Sequence, residues 1–333
     1  MRQNHLDRVL ACAALLAATV GLCQAAETPH EWLDRMAGAV QATSYEGTVI
    51  RQREGKTESL RVAHTIVDGV VHERVVAQEG SGLEIVRNGN EVYCILPDKR
   101  TVLVEQWNDQ STLFSTLPSS DLRFGNEYDL VIKRKARVAG RMALEIAIQP
   151  HDNYRYGHRL WLDTETGFPL ETQLIGDDGQ PLEQVRFVEI NLDTELAAQA
   201  LSTSHQIDGF TWFTEPGRPP RREVESDWIA DELPVGFFRV SAEEEMLGAN
   251  DVQEAGHAEH GDRLLTHIMY SDGLANVSAF IVASDEAKPA ESTRKRMGAT
   301  HSFTTARDGA RITVVGEVPA VTVERIGRSL RRR

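Results

Sequence analysis

Several groups in the 333-residue sequence carry side chains whose types and spacing could do chemistry. His257, Glu259 and His260, with His267 beyond them, are donors of the kind that hold zinc. Histidines three apart share a metal when the backbone between them is helical. Here Gly256 and Gly261 flank the pair, so the stretch reads as a polar loop and no metal is assigned. Asp163, Glu165 and Gly167 resemble part of a calcium loop but lack its closing bidentate acid, and a hairpin turn accounts for them. Gly55-Lys56-Thr57 ends like a phosphate-binding loop, yet Ile50 stands where its first glycine belongs. Gly80-x-Gly82 meets Ile85 in place of a third glycine, and no Gly-x-Ser-x-Gly elbow occurs. Glu171, Asp177 and Asp178 read as solvated turn acids rather than a catalytic pair. Cys94 sits in the apolar run 92–96 and reads as a small buried hydrophobe, not a nucleophile. The sequence therefore assigns no catalytic residue, no metal and no cofactor, and a non-enzymatic role is expected.

Stepping outward to the segments that carry these residues, the chain opens like a secretory signal. Arg2 and Arg8 precede an uncharged run over 9–23, followed by Cys23-Gln24-Ala25. That run is too short for the ~20 residues of a membrane-spanning helix. Cleavage at Ala25 or Ala26 and a periplasmic mature protein are the expectation. Such a mature chain keeps 34 basic and 49 acidic residues, a net charge of −15, and Cys94 as its one cysteine. The charge argues against nucleic acid as a partner, and the lone thiol rules out an internal disulfide. Aromatic residues make up only 6%, too few for a large base- or sugar-stacking surface. Local exceptions to the acidity are the arginines at 218, 221 and 222 and those at 325, 328 and 331–333. These are solvated faces or contacts to an acidic partner or lipid headgroup.

Thr28-Pro29-x-Glu31 is a capping box, and Trp32, Leu33, Met36 and Val40 recur on one helical face behind it. Short strands are then expected at 47–53, 60–67, 70–77, 83–87, 91–96 and 101–104. They resume at 128–138, 142–148, 154–163, 169–175 and 182–190, with Gly-centred turns between many of them. Such tightly linked strands make an antiparallel meander that curls toward a barrel. Trp107, Phe114, Leu117 and Phe124 fall in an irregular insertion between strands and either line a ligand mouth or close the core. A helical piece is expected at 194–201, and a Pro- and Arg-rich linker over 213–225. The stretch 243–262, opening with Glu243-Glu244-Glu245, reads as loop. Strands at 264–270, 274–282, 302–305 and 312–316 and a last helix over 320–330 complete a small α+β domain.

The stretches Tyr45-Glu46-Gly47-Thr48, Tyr154-Arg155-Tyr156-Gly157-His158-Arg159-Leu160-Trp161-Leu162-Asp163, Tyr270-Ser271-Asp272-Gly273-Leu274 and Val314-Val315-Gly316-Glu317-Val318-Pro319 resemble the RseB/MucB family of periplasmic regulators of the envelope-stress sigma factor. The likeness runs from about Trp32 to Leu330. It implies an α+β protein whose first domain, 27–212, is a LolA/LolB-like open antiparallel β-barrel with covering helices. Residues 1–25 would be the signal, 213–225 the linker and 226–333 a smaller C-terminal domain. It implies binding to the periplasmic region of an RseA/MucA-type anti-sigma factor, protection of that partner from site-one proteolysis, and release by lipopolysaccharide or another lipid. Within that frame an acyl chain is expected beside Trp107, Phe114, Leu117 and Phe124. The anti-sigma factor is expected at Met269, Tyr270, Leu274 and Phe280, which otherwise are core. The alternative is a periplasmic lipid or lipoprotein carrier of the LolA type, for which the first domain alone would suffice.

Overall fold

A computed structural model describes residues 27–106, 125–214, 222–247, 263–283 and 292–333. The signal region and Trp107, Phe114, Leu117 and Phe124 lie outside the described residues, as do His257, Glu259 and His260. Helix α1 (Pro29–Ala42) starts as its sequence demands. Glu31 Oε2 accepts from the Thr28 N–H at 2.6 Å, and Thr28 Oγ1 accepts from the Glu31 N–H at 3.3 Å. Its buried stripe of Trp32, Leu33, Met36, Ala37 and Ala39 lies against the first sheet.

That sheet has twelve strands. They are β1 (Tyr45–Arg53), β2 (Lys56–Val67), β3 (Val70–Ala77), β4 (Glu84–Asn88), β5 (Glu91–Leu96) and β6 (Thr101–Gln106). The chain resumes with β7 (Tyr128–Val138), β8 (Arg141–Pro150), β9 (Gly157–Asp163), β10 (Pro169–Ile175) and β11 (Pro181–Leu192). A single helical turn, α2 (Ala198–Leu201), precedes β12 (Thr211–Thr214). The spatial order is β12-β6-β5-β4-β3-β2-β1-β11-β10-β9-β8-β7, antiparallel except where β12 lies parallel to β6. The sheet is curved and does not close, because β12 and β7 at its two ends do not pair. The expected open barrel is thus what forms. Hairpins β1–β2 and β2–β3 turn through Glu54-Gly55 and Asp68-Gly69, where both central residues have positive φ, the geometry that matches strand twist.

Gly47 explains part of the Tyr-Glu-Gly-Thr signature. A Cβ there would sit 2.4 Å from the Glu189 carbonyl oxygen and 3.1 Å from the Phe187 ring, beside the irregular register at Thr48/Val49. Only glycine lets β11 approach this closely. The face behind it buries Tyr45, Val49, Leu60, Val62, Val75, Phe168 and Phe187 as one cluster.

The second sheet has seven strands. They are β13 (Arg222–Glu223), β15 (Phe238–Leu247), β16 (Arg263–Ser271), β17 (Asn276–Ala283), β18 (Thr293–Met297), β19 (Thr300–Arg307) and β20 (Ala310–Gly316). Their order is β13-β15-β16-β17-β20-β19-β18. Helix α3 (Ala320–Ser329) covers one face, setting Val323 and Ile326 among Ile268, Ala279, Phe303, Ile312 and Val314. A separate pair, β14 (Trp228–Ala230) with β21 (Leu330–Arg332), ties the chain end to the start of this domain.

One expectation needs correction. Glu243-Glu244-Glu245 is not loop: it lies in the middle of β15, paired with His267, Thr266 and Leu265 of β16. Partner strands on both sides supply the backbone bonds. Glu243 and Glu245 point to the face that α3 leaves uncovered, so carboxylates are tolerated there. The C-terminal arginines are exposed and pair with acids near the start of this domain. Arg331 bonds Asp231, Arg332 lies 3.8 Å from Asp227, and Arg333 lies 3.9 Å from Glu225.

Candidate functional site at the domain junction

The two sheets meet at the loop 151–156 between β8 and β9. Pro150 ends the β8 ladder, and Gly157 lets the chain re-enter close by: a Cβ there would lie 3.1 Å from the Ile148 carbonyl oxygen. The loop presents three consecutive residues to three different parts of the second domain. The Tyr154 carbonyl accepts from Thr322 Oγ1 at 2.5 Å, and its hydroxyl accepts from Arg325 at 2.7 Å, both on α3. The Tyr156 hydroxyl lies 3.3 Å from the Ala299 carbonyl oxygen and from His301 Nδ1. His301 in turn bonds the Val318 carbonyl at 2.9 Å, so the Val314–Pro319 signature joins the same contact.

Arg155, between them, is only 1% exposed. Its Nη1 donates to Asp272 Oδ2 at 2.6 Å and its Nη2 to the Val235 carbonyl at 2.5 Å. Nε and Nη2 also donate to the two Asp152 oxygens at 3.0 and 3.1 Å. The guanidinium carbon lies over two rings, 5.4 Å from the centre of Tyr128 of the first domain and 5.1 Å from that of Phe237 of the second. Burial alone would lower the Arg155 pKa, but Asp152 and Asp272 overcome it and the net direction is upward.

Asp272 is 4% exposed and is built to face this arginine. In the turn after β16 its Oδ1 accepts from the Leu274 and Ala275 N–H groups at 2.9 and 2.7 Å. Ser271 Oγ accepts from the Gly273 N–H at 3.0 Å, and Gly273 holds φ at 98°. The Ser-Asp-Gly-Leu sequence thereby satisfies its own backbone and leaves Oδ2 for Arg155 and for the Tyr128 hydroxyl at 2.8 Å. Burial first, then the Asp272 charge, pushes the Tyr128 pKa far up, so its phenol stays a donor. His158 is pushed down to about 4 by burial, with Asp272 opposing, and is neutral at ordinary pH.

The predicted partner residues do not form one patch. Tyr270 is buried in the second core, where burial raises its pKa to about 12. Leu274 packs on the first domain's cluster around Leu144 and Ile146. Met269 and Phe280 share the face away from α3, where Phe280 stacks on His267 at 4.7 Å and 7°. Cys94 is half-buried, and burial followed by Glu105 raises its thiol to about 11. Asp163 caps its hairpin by accepting from Thr166 and Arg141. Among the described residues no group of metal donors gathers. A cavity of about 330 Å³ opens on the first sheet, with Leu60, Val75, Ala77, Leu83 and Ile85 forming its apolar wall and Arg51, Glu58, Glu79 and neighbouring hydroxyl residues its polar one.

The sequence stretches that meet here, 154–157, 270–274 and 314–319, lie within two regions that match known domain families. The model of the MucB/RseB N-terminal domain matches residues 28–205, and that of the MucB/RseB C-terminal domain matches 222–331. The chain belongs to the MucB/RseB family. It is 30% identical to the sigma factor AlgU regulatory protein MucB of Pseudomonas aeruginosa, over 99% of this chain and 98% of that one. It is 28% identical to the sigma-E factor regulatory protein RseB of Escherichia coli K12, over 90% and 89%. Among solved structures, MucB in complex with MucA(peri) superposes with a TM-score of 0.67 at 28% identity, covering 92% of this chain and 99% of that one. MucB alone gives 0.54 at 27% identity, over 91% and 97%. Both domains of this MucB/RseB protein, and not only the curved sheet, are therefore shared.

The residues missed in sequence were Arg155, Asp272 and Tyr128. The first two lay inside the recognised stretches, but nothing local assigned them to each other. The one available signal was a charged residue between two tyrosines, Tyr154-Arg155-Tyr156, at a strand boundary.

Proposed function

We propose that this protein is an exported, non-enzymatic regulator of a sigma-E/AlgU-type stress response. In this reading it works in the periplasm and binds the periplasmic region of a MucA/RseA-type anti-sigma factor. Bound, it shields that partner from site-one proteolysis, and lipopolysaccharide or another acyl-bearing molecule releases it. The observation that carries the reading is the end-to-end match of both domains to MucB in complex with MucA(peri). The signal-like N-terminus supports the compartment. The cavity lined in part by Leu60, Val75, Ala77, Leu83 and Ile85 has the size of a small ligand site, and its apolar wall supports an acyl ligand; Trp107, Phe114, Leu117 and Phe124 are proposed as lipid contacts. Met269 and Phe280 are proposed to touch the anti-sigma factor, with Tyr270 and Leu274 bracing them from the core and the junction.

Release by lipid requires the lipid to prefer the partner-free form; a tenfold preference corresponds to about 1.4 kcal/mol of coupling. A lipid carrier of the LolA type is the competing reading. The second sheet and its buried charged junction argue against it, since a carrier needs the first domain alone. The mature protein, immobilised and exposed to envelope extract with and without lipopolysaccharide, separates the two. Capture of a single-span anti-sigma factor that lipopolysaccharide displaces is the expected result. Capture of lipidated cargo alone would refute it.

A further inference from the structure

We propose that Arg155 and Asp272 are positioning residues that fix the angle between the two sheets and so hold the anti-sigma-factor site in its binding geometry. This rests on the function proposed above. Domain interfaces within one chain are ordinarily polar and permit motion. This one is different in a specific way. A charged pair with both members at least nine-tenths buried is poor stabilisation, because desolvation offsets most of the attraction, and well-packed apolar residues would serve as well or better. What such a pair supplies is direction.

The guanidinium is planar and its N–H groups point along fixed lines. Arg155 is anchored to its own domain by both Asp152 oxygens, then offers Nη1 to Asp272 and Nη2 to the Val235 carbonyl of the other. The guanidinium carbon also lies 5.1 Å from the ring centre of Phe237 of the second domain. Rotation of the second domain breaks the 2.6 Å and 2.5 Å bonds and the Phe237 contact together, so the junction has one well-defined setting. Tyr154 and Tyr156, on either side, reach α3 and the β18–β19 turn, and extend the same lock to both flanks. Met269 and Phe280 lie on the sheet that Asp272 terminates, which makes their placement relative to the first domain a property of this pair.

Arg155→Met keeps apolar length and loses the fork. Asp272→Asn keeps the Oδ1 acceptor that its turn needs and loses the charge. Each full-length variant is measured by small-angle scattering without ligand, by amide exchange of both sheets, and by calorimetric titration with the purified periplasmic region of the MucA-type anti-sigma factor of the same organism. The expected result is retained protection in both sheets, a changed scattering profile, and affinity lowered at least tenfold. The double variant is expected to bind no more weakly than the worse single one, because both act through one lock. Lower affinity with an unchanged profile, or a changed profile with unchanged affinity, overturns the proposal. Should Arg155→Met fail to fold, Asp272→Asn decides alone by the same criteria. If the wild type binds no such region, the proposed function falls and this role with it, whereas failure of the variants alone leaves that function standing.

Discussion

A pair of identical substitutions should move stability in opposite directions, for reasons visible in the two principal helices. Gly38 lies on the exposed side of α1, and a Cβ added there meets nothing within 4 Å. Alanine costs no contact at that position and removes the backbone entropy of a mid-helix glycine, so Gly38→Ala should stabilise by about 0.5–1 kcal/mol. Gly327 in α3 has the same intrinsic liability, but a Cβ there would lie 2.6 and 3.0 Å from two Phe303 ring carbons and 3.3 Å from Val314 Cγ2. Phe303 and Val314 are fully buried in the second core, so neither can step aside without displacing its neighbours. Overpacking of this kind costs ~1–3 kcal/mol, more than the helical gain, and Gly327→Ala should destabilise by about 1–2 kcal/mol net. Differential scanning calorimetry with chemical denaturation reads both, and 1 kcal/mol corresponds to a few degrees in a domain of this size. Phe303→Leu in the Gly327→Ala background should recover part of the loss by vacating the contact. Shifts of the same sign for the two glycine variants would refute the packing argument.

Acid should charge the half-buried imidazole of His158. His158 is held neutral, its pKa pushed from 6.5 down to about 4, while in the unfolded chain it would take a proton below about 6.5. Its contribution is therefore full above about pH 6.5 and is lost progressively as pH falls toward 4, by up to about 3 kcal/mol. Glu183 and Glu317, raised chiefly by burial, respond in the opposite sense because protonation relieves them. The comparison of wild type with His158→Gln over pH 4–7 isolates the histidine, and equal pH profiles would refute its neutral burial. Cys94, raised to about 11, should react with iodoacetamide far more slowly at pH 8 than a free thiol does. A rate equal to that of glutathione would contradict that environment.

Most of the first sheet was legible because its strands are short, Gly-turned and joined to their sequence neighbours. The spans expected at 70–77, 91–96, 128–138 and 169–175 coincide with β3, β5, β7 and β10. Strand β15 was misread because mean polarity was weighed over alternation: Ala242 is buried while Glu243 and Glu245 face the uncovered side. Strand β18, Thr-Arg-Lys-Arg-Met, carried no apolar signal because all five residues are exposed at a sheet edge. The junction was illegible for another reason. Arg155 and Asp272 are separated by 117 positions, and a contact of that span leaves no local trace beyond the composition of each partner.

The order in which the chain is made gives the Tyr154-Arg155-Tyr156 loop a further consequence. Arg155 belongs to the half that emerges first, yet two of its acceptors, Asp272 and the Val235 carbonyl, arrive later. Until then a guanidinium and the Tyr128 phenol stand at a surface that also bares Tyr156, Leu174 and Leu182, whose apolar partner Ala299 comes later still. The first half is thus made with an unfinished face, open to aggregation or to a holdase. A chain cut short after β12 keeps that face for good, so quality control has a physical basis for telling a truncated product from a finished one.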